Sequence, residues 1–108
     1  MKTEYLCSSA YRLDQLVYKG PGVGFPAAKD SSEDASVVRL VYSISENALL
    51  KARGNFQPSD STRKVREEQV ELARATIERL DLRWPTKTDL ICMLNAEEQV
   101  WQQLTGAA

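Results

Sequence analysis

Three cations fall together at residues 63 to 66, where they are placed to bind an anion. Arg63, Lys64 and Arg66 belong to the first turns of a predicted helix, where the macrodipole disfavours positive charge. Free backbone N–H groups and the hydroxyls within residues 59–62 would join them in a phosphate site, or in a local patch for nucleic acid. We favour the alternative, a solvated surface in which Arg63 and Lys64 pair with the glutamates four residues further on, because exposed charge runs usually have no further role.

The second candidate is Glu97, a carboxylate that helical spacing places beside Leu94, Trp101 and Leu104. Such a group is a buried acid with a raised pKa, an ion-pair partner of an arginine, or a rim residue at a subunit contact. We favour the ion pair or the rim, because one carboxylate without a nucleophile, a metal ligand or a second acid specifies no reaction. Arg66 lies toward the edge of the apolar face of its own predicted helix.

The third candidate is an apolar pocket or a subunit interface. Its predicted members come from a Gly/Pro-rich loop and the last helix, and they are Phe25, Trp84, Leu94, Glu97, Trp101 and Leu104. Core packing is the ordinary role of such side chains, although Trp and Tyr are enriched where a surface meets a partner. A pocket of this composition would take a small hydrophobic or anionic ligand.

The residue types that most often carry out catalysis are scarce in this chain. Histidine, the commonest general acid or base, is absent. Cys7 and Cys92 lie far apart and form no CxxC pair, which argues against a disulfide scaffold and against a zinc site. We therefore predict a protein that is not an enzyme and that uses no metal and no cofactor.

The charge and the hydropathy pattern limit the partners. Fourteen basic and fifteen acidic side chains leave a formal net charge of −1, so no global field draws the chain to nucleic acid or to an anionic membrane. The N-terminal sequence MKTEYLCSS lacks the apolar run of a signal peptide, and nowhere do about 18 apolar residues run together. We expect a soluble, cytoplasmic protein without membrane contact.

The clearest element is an amphipathic helix predicted over residues 61–82. Steps of about 100° per residue collect its apolar and small polar side chains on one broad face. The members of this face are Val65, Gln69, Leu72, Ala73, Thr76, Ile77 and Leu80. We expect this whole stripe to be buried, with the glutamates and basic residues on the opposite side.

Residues 9–18 predict a first helix with the apolar positions 10, 13, 16 and 17 on one side. It has to stop by Gly20, because GPGVGFP concentrates three glycines and two prolines in seven residues. We predict a flexible Gly/Pro/Ser loop at about residues 20–34.

Residues 37–44 fit two different elements. As part of a helix capped by Ser32 or Asp34, they begin a stripe at helical spacing. As a strand, they form a β-branched alternating run, after which Ser45 caps a short helix. We favour the helix, because a strand without a convincing partner leaves its backbone groups unpaired.

The last helix is predicted to follow a short turn. Thr86 and Asp89 form a capping-box pattern, and Trp84 is expected to be extended because it precedes Pro85. About four connecting residues separate this helix from the one before it, so the two should form an antiparallel hairpin.

These patterns predict a single all-α domain over residues 1–108, built as a helical hairpin or a small bundle of three to four helices. The alternative is an α+β fold with a short N-terminal sheet from residues 2–8, 11–18 and 37–44. So few helices leave an apolar edge uncovered, and a second copy is the simplest cover. We predict a homodimeric interaction or regulatory module, with a small-molecule binder and a nucleic-acid binder as the alternatives.

Overall fold

The computed structural model describes residues 5–18, 32–54, 59–82 and 84–106. Within these ranges the chain forms four helices and no strand: α1 (Ser9–Tyr18), α2 (Glu33–Ala52), α3 (Asp60–Arg79) and α4 (Trp84–Thr105). The predicted all-α bundle is therefore confirmed. The α+β alternative is wrong, because residues 11–18 and 37–44 are helical. None of the four helices is long and apolar enough to cross a membrane.

Helix α1 occupies the predicted residues 9–18 and packs on α4 and α2. Ala10 and Leu13 are fully buried. At its first residue, the Ser9 hydroxyl donates a 2.6 Å hydrogen bond to Oε1 of Gln103 near the end of α4. The backbone N–H of Leu6 donates to the carbonyl of Ala52 at 2.7 Å, which fixes the chain entering α1 against the end of α2.

Helix α2 is continuous through the segment that also fits a strand. The Ser32 hydroxyl caps it by accepting a 3.2 Å hydrogen bond from the N–H of Ala35. Val37, Val41 and Ile44 are buried at helical spacing, and their packing outweighs the modest helix propensity of β-branched residues. The loop predicted at about 20–34 thus ends by Ser32, and residues 19–31 lie outside the described part of the chain.

Helix α3 begins at Asp60 after the N-cap Ser59, whose hydroxyl accepts a 3.2 Å hydrogen bond from Thr62 N–H. Only part of the predicted stripe is buried. Ala73 and Ile77 face the core together with Val70. Val65 and Leu72 are exposed, so the expectation that they are buried is wrong. The buried face is centred closer to Ala73 than the broad sequence stripe indicates, because α2 and α4 cover only a narrow arc of α3.

Helix α4 begins at Trp84, two residues before the predicted Thr86 cap. An extended Trp84 is therefore a wrong prediction. Proline fits the first helical turn, where no N–H donor is needed, so Pro85 permits the helix to start ahead of it. Thr86 is buried instead of capping, and within the described residues its hydroxyl has no hydrogen-bond partner.

The helices enclose two adjoining groups of buried apolar residues. The larger lies between α2, α3 and α4 and consists of Val37, Val41, Ile44, Val70, Ala73, Ile77, Leu82, Leu90, Met93 and Leu94. The smaller joins α1 to α2 and α4 and is rich in alanine, with Ala10, Leu13, Ala48, Leu49, Ala52, Ala96 and Val100. Small side chains let α1 approach closely, and α2 packs against all three other helices.

Helices α3 and α4 run antiparallel but approach closely over only a short stretch. Long polar side chains span the gap between them, because Arg66 on α3 reaches Glu97 on α4 and Arg74 reaches Asn95. The two helices have the predicted antiparallel direction, but α3 packs mainly on α2, and α4 packs mainly on α1 and α2. Whether residues 1–108 form a single domain stays a prediction, since the described ranges omit parts of the chain.

Candidate functional site

A cleft opens where the C-terminal half of α2 and the N-terminal half of α3 diverge above α4. Its volume is about 310 Å³. The lining side chains are Ile44, Asn47, Ala48 and Lys51 from α2, Ser61, Thr62, Val65, Arg66 and Gln69 from α3, and Glu97 and Trp101 from α4. We call this site the α2/α3 cleft. The opposite ends of α2 and α3 are held together by Val37, Val70 and Ile77 and by an exposed ion pair between Arg79 and Glu33.

The cleft opens at this end because four of the five described α3 side chains that line it are polar. The first turns of α3 present serine, threonine and glutamine to α2, whereas its later turns present valine, alanine and isoleucine. Apolar burial drives helix packing, and hydroxyl and amide groups gain little from leaving water without a partner. The two helices therefore close at one end and stay apart at the other.

The floor of the cleft is an ion pair between Arg66 and Glu97. Nε of Arg66 donates to Oε2 of Glu97 at 3.0 Å, and Nη2 donates to Oε1 at 2.5 Å. The Glu97 side chain is 1% exposed and that of Arg66 is 13% exposed. Nη2 of Arg66 also donates to Glu98, and the guanidinium carbon lies 5.3 Å from the centre of the Trp101 ring. Of the roles that the sequence allows for Glu97, the structure confirms the ion pair.

Burial and pairing act against each other on both members of this pair. Loss of hydration raises the pKa of Glu97, and the hydrogen bonds and charge of Arg66 offset only part of that effect. Burial also opposes the charge on Arg66, but its hydrogen bonds to Glu97 and Glu98 prevail and raise the pKa of the guanidinium. Arg66 is thus a permanent cation whose charge is directed at two carboxylates.

The walls of the cleft carry two carboxamides that are not engaged by the described part of the protein. Asn47 on α2 is exposed and Gln69 on α3 is half-buried, and both line the cleft. Neither side chain has a hydrogen-bond partner among the described residues. Each amide offers a donor beside an acceptor. Each wall of the cleft therefore carries an uncharged amide, and Lys51 adds a cation one helical turn beyond Asn47.

A second feature adjoins the cleft on the outer surface of α3. Val65 is 54% exposed and Leu72, seven residues later, is 59% exposed. We call these two residues the outer stripe. Their spacing of two helical turns places them on one side of α3. Exposed charges flank the stripe at Lys64 and Glu68, so a hydrophobic strip with a charged border faces away from the core.

The structure separates the members of the predicted anion site. Arg63 and Lys64 are exposed, while Arg66 turns inward to its carboxylates. Within the described residues no ion pair joins Arg63 to Glu67 or Lys64 to Glu68. Binding of an anion or a nucleic acid at this turn stays a prediction that would depend on two exposed cations, with Arg66 already committed elsewhere.

The members of the predicted apolar pocket occupy different places. Glu97 and Trp101 meet in the cleft, whereas Leu94 is fully buried in the larger core. Leu104 packs on the alanine-rich group near α1. Phe25 and the side chain of Trp84 lie outside what the structure describes.

The sequence analysis does not single out the cleft walls, and it assigns Arg66 and Glu97 to separate candidate sites. A signal for the pair was present, because a cation and an anion each lie at the margin of an apolar face on consecutive helices. Asn47 and Gln69 likewise follow Ile44 and Val65 at helical spacing. Sequence alone cannot show that these margins meet, since meeting depends on the rotation of each helix about its axis.

Among the described residues, no three side chains of His, Cys, Asp or Glu are grouped so as to hold a metal ion. Cys7 and Cys92 are free thiols, both half-buried. Comparisons of the chain with protein-family models, with curated proteins and with solved structures found no match.

Proposed function

We propose that this four-helix protein is a non-enzymatic interaction module that associates with a second copy of itself through the outer stripe. The observation that carries the proposal is the exposure of Val65 and Leu72, each more than half open to solvent on one face of a 20-residue helix. Helices pair through apolar residues that recur every seven positions, and this stripe provides one such repeat.

An antiparallel arrangement of two α3 helices suits these residues. A twofold axis between residues 68 and 69 places Val65 of one copy opposite the partner's Leu72, and Leu72 of the first copy opposite the partner's Val65. Lys64 then lies about one turn from the partner's Glu68, so opposite charges border the apolar contact. Two apolar residues per copy give a small hydrophobic contact, which favours reversible association with a dissociation constant of roughly 10 µM to 1 mM.

The direct test is sedimentation velocity of the purified chain over about 10 µM to 1 mM, which covers the expected range of the dissociation constant. We expect the weight-average mass to rise from the 12.1 kDa of one chain toward twice that value. Leu72→Glu places a carboxylate in the contact and should raise the dissociation constant at least about tenfold.

The matched control is Leu6→Glu, because Leu6 is 57% exposed and lies before α1 rather than on α3. This variant makes the same substitution at a similarly exposed site and should associate like the unmodified chain. A 12.1 kDa species at every concentration, or equal loss of association in both variants, would contradict the proposal.

A further inference from the structure

We propose that the α2/α3 cleft is a binding site for a small, uncharged, amide-bearing ring compound. The cleft shares Val65 with the outer stripe, and its volume, lining and charge balance point to this class of ligand.

The volume of about 310 Å³ sets the size of the ligand. At about 30 Å³ for each water-sized group, the cleft holds roughly ten non-hydrogen atoms, which is one substituted six-membered ring. The cleft is at the lower limit of small-molecule sites, so we expect weak, saturable binding.

The charges of the residues that line the cleft favour an uncharged ligand. Both carboxylate oxygens of Glu97 already accept hydrogen bonds from Arg66, so the floor presents no unpaired charge to a ligand. Glu98 adds a second carboxylate to the same guanidinium. Lys51, the cation at the mouth, is half-buried and already has an interaction of its own. A ligand anion would therefore lose hydration on entry and gain little from Lys51, and a ligand cation would meet no unpaired carboxylate in the described lining.

The side chains on the two walls favour a ligand that bears an amide. Asn47 and Gln69 contribute from opposite sides of the cleft, and neither has a hydrogen-bond partner among the described residues. A carboxamide offers a donor beside an acceptor, and a ligand with the same pair in reverse order matches it with two hydrogen bonds. Ile44, Ala48 and Val65 provide the apolar surface for the ring.

The experiment compares three probes of the same shape, which are benzamide, benzoate and toluene. Each is titrated into the ¹⁵N-labelled full chain while the side-chain amide signals are followed by NMR. We expect saturable shifts of the Asn47 and Gln69 amide signals with benzamide, and affinities at least about threefold lower for benzoate and toluene. Gln69→Met should weaken benzamide binding about threefold to tenfold, since it removes one amide at nearly constant volume.

The matched control is Gln102→Met, because Gln102 is exposed on α4 and does not line the cleft. It should bind benzamide like the unmodified chain. Repeating the titration in Leu72→Glu separates this proposal from self-association, since binding in the cleft should persist there. The proposal would be overturned if benzamide binding does not saturate, or if benzoate or toluene binds more tightly than benzamide. It would also be overturned if Gln69→Met and Gln102→Met lose the same amount of affinity for benzamide.

Discussion

The buried pair of Arg66 and Glu97 is the residue-scale feature with the largest energetic consequence. Bringing two charges out of water is expensive, and the pairing offsets part of that cost only while both members are present. The geometry is favourable for this, with two hydrogen bonds between the guanidinium and the carboxylate and the Trp101 ring beside them. Removing either member alone should therefore destabilise the protein more than removing a surface charge.

Arg66→Met should destabilise the protein by about 3 kcal/mol or more, because it leaves the Glu97 carboxylate buried without a counter-charge. Arg79→Met is the matched control, since it makes the same change in the same helix at an exposed ion pair with Glu33. We expect a much smaller loss of stability for Arg79→Met than for Arg66→Met. Urea unfolding of the two variants at neutral pH measures the difference, and similar losses would show that burial of the pair has no energetic role.

Glu97→Gln should reveal the pH dependence that Glu97 contributes. Its folded-state pKa is raised above the usual 4.5, so the folded protein holds the proton more tightly than the unfolded chain. The stability that comes from this proton is fully present below pH 4.5 and is lost as the pH rises through the folded-state pKa. The free energy of unfolding of the unmodified chain, minus that of Glu97→Gln, should fall as the pH increases above 4.5.

The measurement is urea unfolding of both proteins in steps from pH 4 to neutrality. Leu50→Ala is a control that removes no titratable group, so its difference from the unmodified chain should stay level with pH. The prediction would be contradicted if the free energy of unfolding of the unmodified chain, minus that of Glu97→Gln, rises with pH. Arg66 would then lower the pKa of Glu97 by more than burial raises it.

At the scale of elements, the helices are defined by their ends and by the faces that they bury. Ser32 and Ser59 cap α2 and α3 with equivalent 3.2 Å hydrogen bonds from the backbone. Inside α2, the hydroxyl of Ser45 donates to the carbonyl of Val41 at 2.9 Å, so a residue that also suits a cap is accommodated in the helix. Local chemistry fixes where these helices begin.

Ser59→Ala should cost about 1 kcal/mol of stability, because it removes the side chain that accepts from the N–H of Thr62 at the start of α3. Ser43→Ala is a control at an exposed position inside α2 and should change stability by no more than about 0.5 kcal/mol. Thermal and urea unfolding measure both variants. Equal effects would show that the cap does not determine the start of α3.

At the scale of the whole molecule, the bundle is closed where apolar side chains from α2, α3 and α4 converge and open at the α2/α3 cleft. Leu94 lies in the convergent region and is fully buried, while Leu50 on α2 is 61% exposed. These two leucines allow the same substitution to be compared inside and outside the core.

Leu94→Ala should lower the free energy of unfolding by about 2 to 5 kcal/mol, because it removes buried methyl groups and leaves a cavity between three helices. Leu50→Ala should change it by less than about 0.5 kcal/mol. Urea unfolding followed by far-ultraviolet circular dichroism gives both values. A small loss for Leu94→Ala would imply that the bundle is loosely packed there.

The sequence by itself determined the helical class and the extent of α1, because periodicity depends on residues a few positions apart. It left the cap of α2 open between Ser32 and Asp34, and the structure selects Ser32 for α2 and Ser59 for α3. The sequence did not determine the start of α4, since the position of Pro85 permits more than one helix boundary.

Only the tertiary structure decided which residues of α3 are buried. Val65 and Leu72 share the sequence stripe with Ile77, yet they are exposed because the arc covered by α2 and α4 is narrower than the stripe. The meeting of Arg66 with Glu97, and the cleft above them, depend on how α3 and α4 are rotated and separated. No local pattern encodes that geometry, because it follows from how all four helices share the available apolar surface.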